Sequence, residues 1–204
     1  MDPAISFAKS YLGSLKEILN KLPLNDLAKA MEEIKSALDS DRCVFIAGNG
    51  GSASTASHIA NDFTHTVPKS CEKRIKALAL TDNIASITAI ANDLEFADVF
   101  SAQLRSLAKK GDILIVISGS GNSLNVVKAL EYARGKGAKT VAICGYAGGK
   151  IKEIADLSVH AEVQDMEVSE DIHNLVMVHC VKQMLTKELK NNKVGEEYAK
   201  RVAL

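Results

Sequence analysis

The stretch CVFIAGNGGSASTASHIANDF, residues 43 to 63, decides how the rest of the chain is read. An apolar, β-rich run from Cys43 to Ala47 meets Gly48-Asn49-Gly50-Gly51 and then a polar, alanine-rich segment that Ser52 is placed to start as a helix. The pattern is strand, tight turn, helix. Glycines let the backbone approach a ligand closely, and the free N–H groups and dipole of the helix start attract an anion, with phosphate the expected guest. His58 and Asp62 follow at i and i+4, one helix face about two turns below that anion site. The bland reading stands beside it: Gly-rich turns after strands are common, GNGG matches neither the dinucleotide fingerprint nor the Walker pattern, and a lone helical His is often only a surface or core residue.

Composition narrows the partners. The 204 residues suit one domain, 1–204, with a helical extension over 1–40 and an α/β core over 41–190. With 25 basic and 25 acidic residues, no electrostatic argument favours nucleic acid or an anionic membrane, and 4% aromatics offer few stacking surfaces. The expected partner is a small molecule. No run approaches a membrane span, and MDPAISFAKS lacks the regions of a signal peptide, which points to the cytoplasm. Cys43, Cys71, Cys144 and Cys180 show no CxxC spacing and read as buried small apolar residues.

In chain order, apolar residues at helical spacing predict helices over 4–22 and 26–39, whose stripes would cover the core or pack against another subunit. Residues 64–74 read as a loop. IKALAL (75–80), ILIVI (113–117), TVAIC (140–144) and LSVHAE (157–162) read as further strands, separated by helices over 84–90, 95–109, 124–136 and 149–155. The alternation predicts a three-layer αβα sandwich around five parallel strands, of the flavodoxin-like kind. After the third strand, Ser118-Gly119-Ser120-Gly121-Asn122-Ser123 repeats the design of the first loop; it is an ordinary βα loop or a second phosphate grip of hydroxyl and N–H donors. A final helix is predicted over 168–190, with Glu170, Asp171, His173 and His179 in its first turns.

GNGGSA with His58 and Asp62, TDN at 81–83, ITAIANDLEF at 87–96, SGSGNS at 118–123, GYAGGK at 145–150 and EDIH at 170–173 resemble the sugar isomerase (SIS) domain family, phosphoheptose isomerase type. The resemblance spans about 43–185. It implies conversion of sedoheptulose 7-phosphate to D-glycero-D-manno-heptose 7-phosphate through an enediol, and homotetramers with sites shared between subunits; some members bind zinc. Carried over residue by residue, Asn49, Gly50, Gly51, Ser52, Ser118, Gly119, Ser120 and Ser123 would hold phosphate and sugar. Asp93 and Glu170 would also reach substrate. Asp62, with His179 or His173, would shuttle protons, and His58, Asp62, Glu170 and His179 would be the zinc ligands.

Two departures qualify the resemblance. Asp62 stands where the family has Glu, which withdraws the carboxylate by about 1.5 Å. On the last helix the family spaces its histidines as His-x-x-x-x-His, whereas five residues separate His173 from His179 here. That places the two about 120° apart on a regular helix. A one-residue π-bulge would restore His179; otherwise His173 serves, or the second acid/base is missing. The bulge is the favoured expectation. The competing function is a non-catalytic SIS protein, a sugar-phosphate sensor or an adaptor similar to the initiator-binding DiaA protein.

Overall fold

Each apolar run becomes a strand because its alternate residues bury on opposite faces of one sheet. The computed structural model describes residues 2–38, 40–66, 75–188 and 200. Strands β1 (Cys43–Gly48), β2 (Lys76–Ala79), β3 (Ile113–Ser118), β4 (Lys139–Cys144) and β5 (Leu157–His160) form a sheet in the order β2-β1-β3-β4-β5, every pair parallel. The chain reverses direction across the sheet between β1 and β3, the switch point at which ligands collect in such folds. Both Gly/Ser loops leave the carboxyl ends of those two strands.

On one face Val44, Ile46, Ile113, Ile115, Ile117, Val141 and Ile143 pack with α2 (Leu24–Ser36), α3 (Gly51–Asn61) and the C-terminal helix. On the other, Phe45, Ala47, Leu114, Val116, Ala142 and Cys144 meet Val99, Phe100 and Leu104, Val126 and Leu130, and Ile151. These come from the segment around α5 (Ser101–Leu107), from α6 (Leu124–Gly135) and from α7 (Gly149–Ile154). The expected three layers are present.

Several details differ from the sequence reading. The helix over 95–109 is a 3₁₀ turn at Phe96–Asp98 followed by α5. α4 (Ile84–Asp93) starts under an Asn83 cap that accepts the Ser86 N–H at 3.0 Å and runs on to Asp93. Residues 64–66, read as loop, continue α3 as a π turn, Asp62–Thr66; the rest of that loop, with Cys71, lies outside the described residues. Of the cysteines expected to be buried, only Cys144 is so among the described residues; Cys43 is half-buried, and Cys180, at the outer end of a helical segment, is exposed. α2 covers the core through Leu27, Ala30 and Ile34. By contrast α1 (Pro3–Asn20) has no buried residue and leaves Ile5, Phe7 and Leu12 exposed.

The loop after β3 is braced by the loop after β4. Gly145 N–H donates to Gly119 O at 2.9 Å, Ile151 N–H to Gly121 O at 3.1 Å and Lys150 N–H to Asn122 Oδ1 at 3.1 Å. Gly121 holds φ +67°, and a Cβ there would lie 1.9 Å from Gly148 O. Gly121→Ala is expected to lower the urea midpoint by the equivalent of at least about 2 kcal/mol, because left-handed strain and a backbone collision add.

Candidate functional site

Helix α3 and the C-terminal helix run side by side in the same direction, and the titratable residues of both line the seam. The C-terminal helix is composite: α8 (Met166–His173), a π segment Asn174–Cys180, and α9 (Val181–Glu188). Asp165 caps α8, its carboxylate accepting the Val168 N–H at 2.9 Å. At the top of the seam the Glu170 carboxylate lies directly on Gly51, where a Cβ would come within 2.0 Å of its Oε2. Gly51 is therefore required by a neighbour as much as by the turn, and Glu170 puts negative charge at the favourable end of the α3 dipole. At the foot, Asp62 Oδ2 lies 3.1 Å from Lys182 Nζ. Between them a cleft of about 240 Å³ is lined by Gly51, Ser54, Thr55, His58, Glu170, Asp171 and Asn174. A neighbouring one of about 200 Å³ shares Asp171 and Asn174 and reaches His179.

The π segment is the bulge that the histidine spacing calls for. His179 emerges exposed, its ring T-shaped against that of His58 with centroids 5.5 Å apart. His58 Nε2 is 3.7 Å from Asp62 Oδ2, and Asp62 is buried. Asp62, His58 and His179 are thus gathered. His173 is not with them: its ring is 1% exposed and Nε2 lies 3.3 Å from Ser169 Oγ, on the side of α8 that packs toward the sheet. Burial pushes its pKa down to about 4, against a smaller opposing effect of a hydrogen bond with the Cys144 backbone. As placed, His173 packs the interior rather than serving as second acid/base.

The two Gly/Ser loops are tied to each other. Asn49 Nδ2 donates to Asn125 Oδ1 and Asn125 Nδ2 donates to Asn49 Oδ1, both at 2.9 Å, tying the first loop to the first turn of α6. The Asn49 side chain thereby joins the two loops. Asn125, 2% exposed, was missed by sequence reasoning; its signal is a lone amide on the buried face of an apolar helix. Ser118 Oγ accepts the Gly121 N–H at 3.1 Å and Ser120 Oγ the Asn122 N–H at 3.3 Å, so both shape the second loop. Gly119 is covered by Met166, whose Sδ would be 2.6 Å from a Cβ. Gly50 and Ser123 begin α3 and α6 with no side chain capping either, leaving helix-start amides for an anion beside Ser52. Asp93 is exposed, accepts from Asn92 Nδ2 at 2.8 Å and lies outside the clefts along the seam.

The SIS domain family model matches residues 7–145. The chain belongs to this family. It is 35% identical over 178 residues to a probable phosphoheptose isomerase of Thermoplasma acidophilum, covering 87% of this chain and 97% of that one. To a Helicobacter pylori phosphoheptose isomerase it is 38% identical over 154 residues, 76% of this chain and 79% of the relative. Among solved structures, the phosphoheptose isomerase of Neisseria gonorrhoeae superposes with a TM-score of 0.80 at 32% identity, over 90% of this chain and 96% of that one. That of Francisella tularensis gives 0.82 at 29% identity, over 91% and 97%.

The four side chains that the resemblance names for zinc do not fit the ion as arranged. Among the described residues no three His, Cys, Asp or Glu side chains are close enough together to hold a metal. Glu170 lies on Gly51 at the top of the seam, and an ammonium group is seated at the Asp62 oxygen that faces His58.

A buried imidazole with a depressed pKa makes stability depend on pH in one direction. The unfolded chain binds the His173 proton near pH 6.5 and the fold does not until about 4, so the contribution is intact above 6.5 and is lost as pH falls between those values. Urea unfolding at pH 7 and pH 5 is expected to differ by about 2 kcal/mol from this residue, a difference that His173→Gln removes.

Proposed function

We propose that this SIS domain is a phosphoheptose isomerase, interconverting sedoheptulose 7-phosphate and D-glycero-D-manno-heptose 7-phosphate through an enediol. The observation that carries the reading is the seam between α3 and the C-terminal helix, with the Gly/Ser loops above it and Asp62 at its foot. The loops are joined by the Asn49–Asn125 pair, and at the end of α3 the buried Asp62 lies beside His58, whose ring in turn meets that of His179. His58 is seven residues below Gly51, about 10 Å along the helix axis, so the group held by the phosphate grip and the group being deprotonated lie at opposite ends of a sugar chain.

In this reading Gly50, Ser52, Ser120 and Ser123 hold the phosphate through hydroxyl and backbone N–H groups, and binding energy at that end orients the other. Asp62 takes the proton from the carbon next to the carbonyl, and His179, with His58 beside it, exchanges protons with the substrate oxygens. Thr55, Asp171 and Asn174 line the cleft below Glu170, where sugar hydroxyls would lie. No feature of the seam favours a sensor or adaptor over an enzyme.

Assembly into a homotetramer with shared sites belongs to the same proposal. Besides α1, α4 has no buried residue, and Ile84, Leu94 and Phe96 stand exposed along and just past it; both surfaces are of the kind that a second copy covers. Asp93, at the end of α4, would reach a site only across such an interface. A cytoplasmic setting is also proposed: Cys43, Cys144 and Cys180 are free thiols, and no described helix is long and apolar enough to cross a membrane.

Purified protein is expected to convert sedoheptulose 7-phosphate to the aldose, followed by NMR of the anomeric protons. Asp62→Asn is expected to keep the fold and the affinity for the sugar phosphate while kcat falls by roughly 10²–10⁴. Undiminished turnover in that variant would remove Asp62 from the chemistry.

A further inference from the structure

Lys182 has no part in the reading above, and the sequence presents it as one more helix charge. It lies in the first turn of α9, three residues past His179, on the side of the helix that faces α3. Its ammonium nitrogen is 3.1 Å from Asp62 Oδ2, the oxygen that His58 Nε2 approaches at 3.7 Å. The Asp62 side chain is 6% exposed and that of Lys182 27%, so the pair is only partly screened by water. A cation is therefore built into the acid end of the groove.

We propose that Lys182 is a fixed cation of the isomerase site, holding the Asp62 carboxylate in place and occupying the position that a divalent metal ion would otherwise take. The inference rests on the isomerase reading for its chemistry and on the ion pair for its geometry. In the forward step the Asp62 carboxylate accepts the proton from C1 of the open-chain ketose. The C1–H bonding pair becomes the C1=C2 π bond, and the carbonyl π pair moves onto O2. Protonation of O2 gives the enediol, and return of a proton to C2 with loss of the O1 proton then gives the aldose, with no net gain or loss of protons or electrons. Negative charge thus passes from the carboxylate toward the substrate oxygens. Held beside the acid, the ammonium favours the carboxylate itself; what it contributes is a fixed position for that base, which then does not reorganise at the moment of reaction. An ammonium group and a divalent ion at one carboxylate oxygen repel, so each excludes the other. Lys182 acts through Asp62 and is a positioning residue.

The test uses the whole chain after treatment with a chelator. Titration calorimetry with zinc chloride is expected to show no stoichiometric binding to the unaltered protein. Lys182→Met is expected to bind zinc at least about 10-fold more tightly, a gain that the Lys182→Met/Asp62→Asn double variant loses. In kinetics, kcat of the unaltered protein should be indifferent to the chelator. Lys182→Met should lower kcat by roughly 10–100-fold with KM within about 3-fold, and Lys182→Arg should recover most of the loss. One zinc bound per unaltered chain with an affinity that Lys182→Met leaves unchanged would overturn the proposal, as would unchanged kcat in Lys182→Met. If the unaltered protein fails to turn over sedoheptulose 7-phosphate, the isomerase reading falls, and calorimetry still decides whether Lys182 holds the place of the metal.

Discussion

The contact of Glu170 with Gly51 sets the geometry of everything below it. Two helices can lie this close at their starts only if one has no side chain at the point of approach, and the absence of a Cβ at residue 51 is what lets the carboxylate reach the backbone of α3. Once the starts are pinned, the parallel course brings Thr55 and His58 opposite Asn174 and His179, and Asp62 opposite Lys182. The groove is thus a consequence of helix packing rather than of a flexible loop, which suits chemistry that needs fixed distances.

Polarity is graded along this seam. Its upper end, with two helix starts and loop hydroxyls, offers an anion neutral donors, most openly at α6, since the Glu170 carboxylate already lies on the start of α3. At its lower end one acid, two imidazoles and an ammonium group are concentrated in a half-buried space. A sugar phosphate laid along it would meet neutral donors at the phosphate and mobile protons at the carbonyl, which is the division of labour that an isomerase needs.

Much of this was legible in the residues. ILIVI could only be a strand buried on both faces, and the two Gly/Ser turns announced where the sheet would present its ligand site. The six-residue offset between His173 and His179 called for a helical irregularity, and the π segment supplies it. What stayed hidden was pairwise: Asn49 meeting Asn125 across 76 positions, and Lys182 meeting Asp62 across more than a hundred, are contacts between residues whose local context is unremarkable. The place of His173 stayed open for a related reason, since helical periodicity does not say whether a polar side chain on the inward face meets a hydroxyl or a cleft.

Both helices of the seam carry a π segment, Asp62–Thr66 in one and Asn174–Cys180 in the other. In the C-terminal helix it separates two anchors: Val168 and Ile172 seated beneath the sheet loops, and Val181 and Leu185 buried in the core that α2 covers. A surplus residue absorbed between two such anchors changes the phase of the side chains in the middle while disturbing neither end. The helix behaves as a vernier: insertion of a single residue re-aims an imidazole by a fraction of a turn, and the scaffold that holds it stays put.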